Sequence, residues 1–494
     1  MMKRLSELAA LLKNARVSGD DAEITSIERD SRRVQEGALF VCIAGAHVDA
    51  HSFIPNAARA GARAILTERE TVDVPDGLSV LHVEDLQEAL DTIVPYFYDY
   101  PARSMRVIGI TGTNGKTTTS YLVRAILRHA GRRVGLIGTI QVMMEDEVFQ
   151  TANTTPDVIV MQQLLSEMRA RGMDAVVMEV SSHALDQGRV AGIEFDTAVF
   201  TNLTQDHLDY HGTMENYARA KARLFDLVSA HGTKTGKTAV LNADDAASET
   251  MRAHTHCPII SYGVENTADL AARDVHLAQD GMELTLVHGA AEPVKLHIGI
   301  TGLFNVYNVL AATGTAYAEK VPAADIAAAL RTFPGVPGRF ELVRAGQDFS
   351  VIVDYAHTPD GMENVLRTAR AVTAGRIIAV FGCGGDRDRT KRPIMGRMAA
   401  ELADIAILTS DNPRTEDPAA ILDEVETGIL PAIGTKPYEK IVDRRTAIFH
   451  AVGTARAGDT VVILGKGHEN YQILKDKTIH FDDRETAREA IRGL

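Results

Sequence analysis

The run Thr111-Gly112-Thr113-Asn114-Gly115-Lys116-Thr117-Thr118 stands between the apolar VIGI and the helical TSYLVRAILRHA. Strand, glycine-rich loop and helix in that order make a cradle for phosphate. The glycines let backbone N–H groups point inward, Lys116 can neutralise the β and γ oxygens, and the Thr117 hydroxyl suits Mg²⁺. Strictly, Ile110 occupies the first position of G-x-x-x-x-G-K-[ST], but the lysine and hydroxyl follow Gly115 at the required spacing. The N-K-x-D element of guanine-specific GTPases does not occur in the 494 residues, so a kinase, a motor-like ATPase and a ligase all stay open. Glu179 ends the strand AVVMEV, where a carboxylate can hold or bridge Mg²⁺ at the phosphates. The stretch TNLTQDHLDYHG then brings Asn202, Asp206, His207, Asp209 and His211 together. Alone, it would also suit a metallohydrolase; with a phosphate loop upstream, a metal serving phosphoryl transfer is the more economical reading. Lys221, in ENYARAKARLFDLV, reads by itself as a solvated helix lysine.

These groups need strands and helices to aim them, and the length, far beyond one ordinary core, leads us to expect three units. Residues 1–102 alternate short apolar strands (ALFVCIAG, ARAILTE, LSVLHVED) with helical stretches such as HSFIPNAARAGA, a small α/β unit. YDYPARSM breaks the pattern, and a larger P-loop unit with a parallel sheet spans 103–336, ending at the turn-rich TFPGVPGRF. In a Rossmann-like third unit, 337–494, the strands FSVIVDYAH, RIIAVFGCGG, IAILTSDNPR and DTVVILGKG each end in polar residues, where ligands of open parallel sheets sit. The N-terminal MMKRLSELAALLKNAR has helical spacing interrupted by Glu7 and Lys13 and lacks the apolar core of a signal peptide. A net charge of −14 argues against a general grip on nucleic acid or anionic membrane, and three scattered cysteines fit neither a disulfide framework nor a zinc cluster. With no run of about 20 apolar residues, a cytoplasmic protein without membrane insertion is expected.

GTNGKTTT, MEVSSHAL, TNLTQDHLDYH, KARLF, GLFNVYNVLAA, PGRFE, DYAHTPD, GCGGDRDRTKRP, DNPR and GKGHE occur in this order over essentially the whole chain, which resembles the Mur ligases. GDRD, DNPR and GKGHE point away from the related cyanophycin and folylpolyglutamate synthetases. The resemblance implies an ATP- and Mg²⁺-dependent ligase of peptidoglycan synthesis, monomeric, extending a UDP-muramoyl peptide. It implies that Lys221 is carbamylated and, with Thr117, Glu179 and His207, holds Mg²⁺, and that Lys116, Glu179, His207 and Lys221 are catalytic. Gly112 to Thr118, Asn305, Asn308, Arg339, Asp354 and His357 would bind ATP, the last three after domain closure. Ser31 and the stretch Ala46, His47, Val48 would hold the uridine diphosphate end, and Asn153, Thr154, Thr155, Ser181, Gln187 and Arg189 the muramoyl peptide.

The amino acid to be added is expected at Arg387, Asp411, Asn412, Pro413, Arg414, Gly465 and Glu469. A guanidinium binds a carboxylate through two parallel hydrogen bonds, so Arg414 would reward the distal carboxylate that meso-diaminopimelate has and lysine lacks, while Glu469 suits the distal ammonium. The expected reaction makes an acyl phosphate on the D-glutamate γ-carboxylate of a UDP-muramoyl dipeptide, which the diaminopimelate amine then attacks. Lysine as the added amino acid is the nearest alternative; a regulatory P-loop NTPase and a metallohydrolase are rivals from other classes.

Overall fold

The computed structural model describes residues 2–45, 48–151 and 153–494. Three mainly parallel sheets carry the chain. The first runs in the order Arg16–Ser18, Ser79–His82, Ala64–Thr67, Ala38–Val41, Ser26–Glu28, with only the first pair antiparallel. The second has 11 strands. Its parallel run is Val134–Ile137, Ala175–Glu179, Arg106–Thr111, Thr197–Phe200, Thr238–Asn242, Ile259–Gly263 and Leu270–Ala278, and antiparallel strands extend it at both ends. In the third, Glu341–Leu342 lies antiparallel to Ser350–Asp354, followed by the parallel strands Thr460–Leu464, Ile377–Phe381, Ile405–Leu408 and Tyr438–Lys440.

Helices cover both faces of these sheets, so the central strands are apolar at every position rather than at every second one. Ile108 and Ile110 face the core under the helices Lys116–His129 and Leu303–Ala318, while Val107 faces the one under Val158–Ala170 and Met214–Ser229. Ile352 and Val351 divide in the same way between the two cores of the third sheet. Each such buried aliphatic side chain contributes about 1.5–3 kcal/mol, which holds the strand ends rigid enough to aim catalytic groups.

All four strands expected in the last third of the chain form, as do the three in the first. The N-terminal helical pattern is overridden: the helix covers only Leu5–Ala9, and Arg16–Ser18 instead becomes an edge strand against Ser79–His82.

Candidate active site

The Arg106–Thr111 strand delivers the phosphate loop to the centre of the 11-stranded sheet. Gly115, at the helix N-cap, has φ +84°, and a Cβ there would lie 2.3 Å from Asn308 Oδ1. Only glycine fits both the left-handed backbone and the close approach of the helix behind it. Asn308 is thus a buttress of the loop. Its Nδ2 donates to Asn305 Oδ1 at 3.0 Å, and Asn305 Nδ2 donates to Thr301 O at 2.8 Å. Lys116 curls over the loop, its Nζ donating to the carbonyls of Gly112 (2.8 Å) and Thr113 (2.7 Å). Burial lowers its pKa.

Thr117 Oγ1 donates to Glu179 Oε2 at 2.9 Å. Glu179 is fully buried, and its carboxylate is fixed by the amide (2.9 Å) and hydroxyl (3.0 Å) of Thr139. That residue went unnoticed in the sequence, where it belongs to no motif. Thr139 Oγ1 also meets Thr154 Oγ1 at 3.1 Å, and Thr155 Oγ1 donates to Glu179 O at 2.9 Å. Arg189 joins Thr155 O (3.0 Å) and Gln187 Oε1 (2.6 Å). The residues expected at the muramoyl peptide thereby adjoin those expected at the phosphates. Thr151 Oγ1 donates to Asn153 O at 2.7 Å, and Ser181 caps the Ser182–Asp186 helix. Ser31 follows the Ser26–Glu28 strand in a turn, Val48 is exposed, and Ala46 and His47 lie outside the described residues.

Lys221 is not solvated. It is 1% exposed, its Nζ donates to Gly112 O at 2.8 Å, and it lies 4.3 Å from the Tyr217 ring centroid. Burial, then Lys116, pushes its ammonium well below the usual lysine range. His207 has φ +52° and stands edge-on to His183 with centroids 4.8 Å apart. His211, by contrast, is buried against Ser182 Oγ at 2.9 Å and stacks on Tyr217. Among the described residues no three His, Cys, Asp or Glu side chains group as a metal cage. Thr117 and Glu179 are in direct contact and offer a hydroxyl and a carboxylate, oxygen donors of the kind Mg²⁺ takes before completing its shell with water and phosphate oxygens; His207 has no contact with either.

The C-terminal part of the chain closes over this loop. Arg339 Nη2 donates to Thr117 Oγ1 at 3.3 Å and the guanidinium lies 4.8 Å from the Tyr355 ring centroid, while its buried Nε has no partner among the described residues. An orphaned guanidinium N–H beside a phosphate loop is what a nucleotide phosphate would satisfy. Asp354 holds the Arg339 segment by accepting from the amides of Phe340 (2.6 Å) and Ala356 (2.7 Å). His357 is exposed, with Nδ1 2.9 Å from Tyr355 O.

At the carboxyl ends of the third sheet, Asn412 Nδ2 donates to Glu469 Oε2 at 2.9 Å. The fully buried Lys466 reaches the same oxygen at 3.0 Å. This lysine lies inside GKGHE but escaped notice because its burial is a tertiary property. Asp411 Oδ1 accepts from the Asn412 amide at 2.6 Å, and a Cβ on Gly465 would come within 2.5 Å of Asp411 Oδ2. Pro413 precedes Arg414, whose φ is +53° and whose Nη1 donates to Gly385 O at 2.7 Å. Arg387 lies exposed on the neighbouring loop.

Family models match three stretches: the Mur ligase family, catalytic domain at residues 23–98, the Mur ligase middle domain at 110–316, and the Mur ligase, glutamate ligase domain at 338–467. A Bacillus cereus protein named UDP-N-acetylmuramoyl-L-alanyl-D-glutamate–2,6-diaminopimelate ligase is 51% identical over 97% of this chain and 96% of its own. The chain belongs to the Mur ligase family. A relative of the same name from Bacillus licheniformis is 49% identical over 99% of this Mur ligase and 100% of its own chain. A solved structure under that name matches with TM-score 0.70 and 33% identity, covering 100% of this Mur ligase and 99% of the other chain. The Thermotoga maritima MurF ligase in complex with ADP, at 19% identity and TM-score 0.65 over 95% of this chain and 96% of its own, shares the fold. No helix among the described residues is long and apolar enough to cross a membrane.

Proposed function

We propose that this Mur ligase adds meso-2,6-diaminopimelate to UDP-N-acetylmuramoyl-L-alanyl-D-glutamate at the expense of ATP, with units dividing near residues 102 and 336. The observation that carries the reading is the pairing of two chemistries. Lys116, Thr117 and Glu179 build a phosphate site that Arg339 joins to the third unit, and in that unit Arg414 and Glu469 would offer a guanidinium and a carboxylate to the added amino acid. Relatives 51% and 49% identical that bear the name of this activity support the same conclusion.

In the reaction the γ-carboxylate of the dipeptide attacks the γ-phosphorus, ADP departs, and an acyl phosphate forms. The amine of diaminopimelate attacks its carbonyl carbon, phosphate leaves with the C–O electron pair, and the amine proton is released. Lys116 stabilises charge on the transferring phosphoryl group, Arg339 grips the nucleotide, and Arg189 with Gln187 fixes the muramoyl peptide. Mg²⁺, held by Thr117 and Glu179, would neutralise phosphate charge. Burial disfavours the ammonium form of Lys221; its free amine adds to CO₂, losing a proton and becoming a carbamate, an anion suited to a second cation. Arg414 takes the distal carboxylate and Glu469 the distal ammonium.

The test is ATP-dependent phosphate release with the UDP-muramoyl dipeptide, meso-diaminopimelate against L-lysine. Stimulation by diaminopimelate alone is expected. Stimulation by lysine would discard the specificity argument, and none by either would refute the ligase assignment.

A further inference from the structure

The loops that carry Arg387 and Arg414 follow the adjacent parallel strands Ile377–Phe381 and Ile405–Leu408. They touch closely: a Cβ on Gly385 would sit 1.9 Å from Pro413 O, and one on Gly384 would sit 2.9 Å from Arg414 Nη1. Both loops contain a non-glycine residue in left-handed backbone, Asp386 and Arg414, each at φ +53°. Arginine gains nothing locally from that conformation, so surrounding contacts must impose it.

The contacts converge on Glu416. Arg392, with a side chain 0% exposed, makes a two-pronged bond to it, Nη2 to Oε1 at 2.8 Å and Nη1 to Oε2 at 3.0 Å. Arg392 Nη2 also donates to Gly384 O at 3.2 Å. Glu416 Oε1 accepts from the Asp386 amide at 2.6 Å, and its Oε2 from Arg389 at 2.9 Å. Asp386 returns the connection by accepting from the Thr415 hydroxyl (2.7 Å) and amide (3.1 Å). Arg392 and the Asp386 amide hold the Glu416 carboxyl at about 2, so it stays a charged acceptor throughout the working range of pH. None of these groups was assigned a role in the reaction.

We propose that Glu416 is a positioning residue for amino-acid selection: clamped by Arg392 and tied to the Asp386–Thr415 pair, it fixes the spacing between the Arg387 and Arg414 guanidiniums. Two guanidiniums select a dicarboxylic amino acid only if their separation matches that molecule. A clip that locks two loops in mutual contact sets the separation before substrate arrives. The inference rests on the reading of Arg387 and Arg414 as contacts of diaminopimelate.

The full-length Glu416→Gln and Thr415→Ala variants are assayed for phosphate release with varied diaminopimelate, lysine, ATP and UDP-muramoyl dipeptide, beside Arg414→Ala. For Glu416→Gln the KM for diaminopimelate rises about tenfold or more, and for Thr415→Ala severalfold, as loss of an orienting partner produces. The preference over lysine shrinks, while kcat at saturation and the KM values for ATP and dipeptide stay within about twofold. Unchanged diaminopimelate KM and preference in folded variants overturn the proposal, as does a parallel fall in every constant. Thr415 is exposed, so Thr415→Ala decides the matter if Glu416→Gln fails to fold. If Arg414→Ala loses the preference and the clip variants keep it, the clip alone is refuted; if Arg414→Ala keeps it, the reading of the amino-acid site falls too.

Discussion

A single buried carboxylate organises the chemistry, because Glu179 accepts from Thr117 on one side and Thr139 on the other. Glu179→Gln keeps the shape and removes the charge, so kcat should drop by about 10²-fold or more. The stability cost should be only about 1–3 kcal/mol, from one misplaced hydrogen-bond donor. Steady-state phosphate release over a Mg²⁺ titration, with thermal melting as the control, separates the two effects. Glu179 and Lys116 were legible because a strand end and a glycine loop announce them. Thr139 was not, since it is recruited across the sheet from the end of a neighbouring strand, and Lys221 was legible only through the family resemblance, because nothing in its local sequence marks the burial. His468 is a second residue whose behaviour the fold dictates. Burial, then Arg339, Arg484 and Lys466, holds its imidazole at about 3, against about 6.5 when unfolded. The neutral ring therefore contributes stability that is complete above pH ~6.5 and is lost as pH falls toward 3, because the unfolded chain binds the proton first. Denaturant midpoints at pH 7.5 and 5.0 should fall further for the native protein than for His468→Gln; equal falls would remove His468 from the account.

Whole elements are held by similar economy. The helix Arg444–Thr454 is pinned to Asp483–Arg492 by the buried Arg444–Asp483 pair at 2.7 Å, and Arg444 Nη2 also donates to Leu464 O at 2.9 Å, behind the loop that carries Glu469. Replacing Arg444 by Met leaves Asp483 charged and uncompensated, which should cost about 3–5 kcal/mol. Chemical denaturation checks the figure; the double change Arg444→Met with Asp483→Leu should recover much of the loss. The strands themselves were legible because runs such as IIAVF and VVIL are apolar at every position and stop at polar residues, as strands covered on both faces must. The helical spacing near the N-terminus, interrupted at Glu7 and Lys13, becomes a helix only over Leu5–Ala9, and Arg16–Ser18 pairs as an edge strand with Ser79–His82. The edge strand Glu147–Phe149 left no comparable mark, since it is only three residues long and exposed throughout, too short to show a period.

Across the whole molecule, the third unit meets the central one through an apolar contact, Phe304 against Phe340 with ring centroids 5.8 Å apart, and meets the phosphate loop itself through a few polar ones. Asp360 Oδ2 accepts from Asn114 Nδ2 at 2.9 Å and from Thr204 Oγ1 at 3.3 Å, and Arg339 reaches Thr117. A junction of this kind opens easily, which a ligase needs in order to admit three substrates and expel water in turn. Asp360 lies in the first turn of the helix Pro359–Val372, two residues after the Thr358 cap, so its bonds tie the third unit to the tip of the loop. Each bond of this type is worth about 0.5–1.5 kcal/mol, so Asp360→Ala should shift the balance of closed and open forms by about two- to tenfold per bond lost. Catalysis requires Arg339 at the nucleotide, so kcat/KM for ATP should fall by a similar factor, and small-angle scattering should report a larger radius of gyration with nucleotide bound. Asp360→Asn keeps an acceptor oxygen and should lie between the two. An Asp360→Ala protein as compact and as active as the parent would mean that closure is driven by Arg339 and the nucleotide alone.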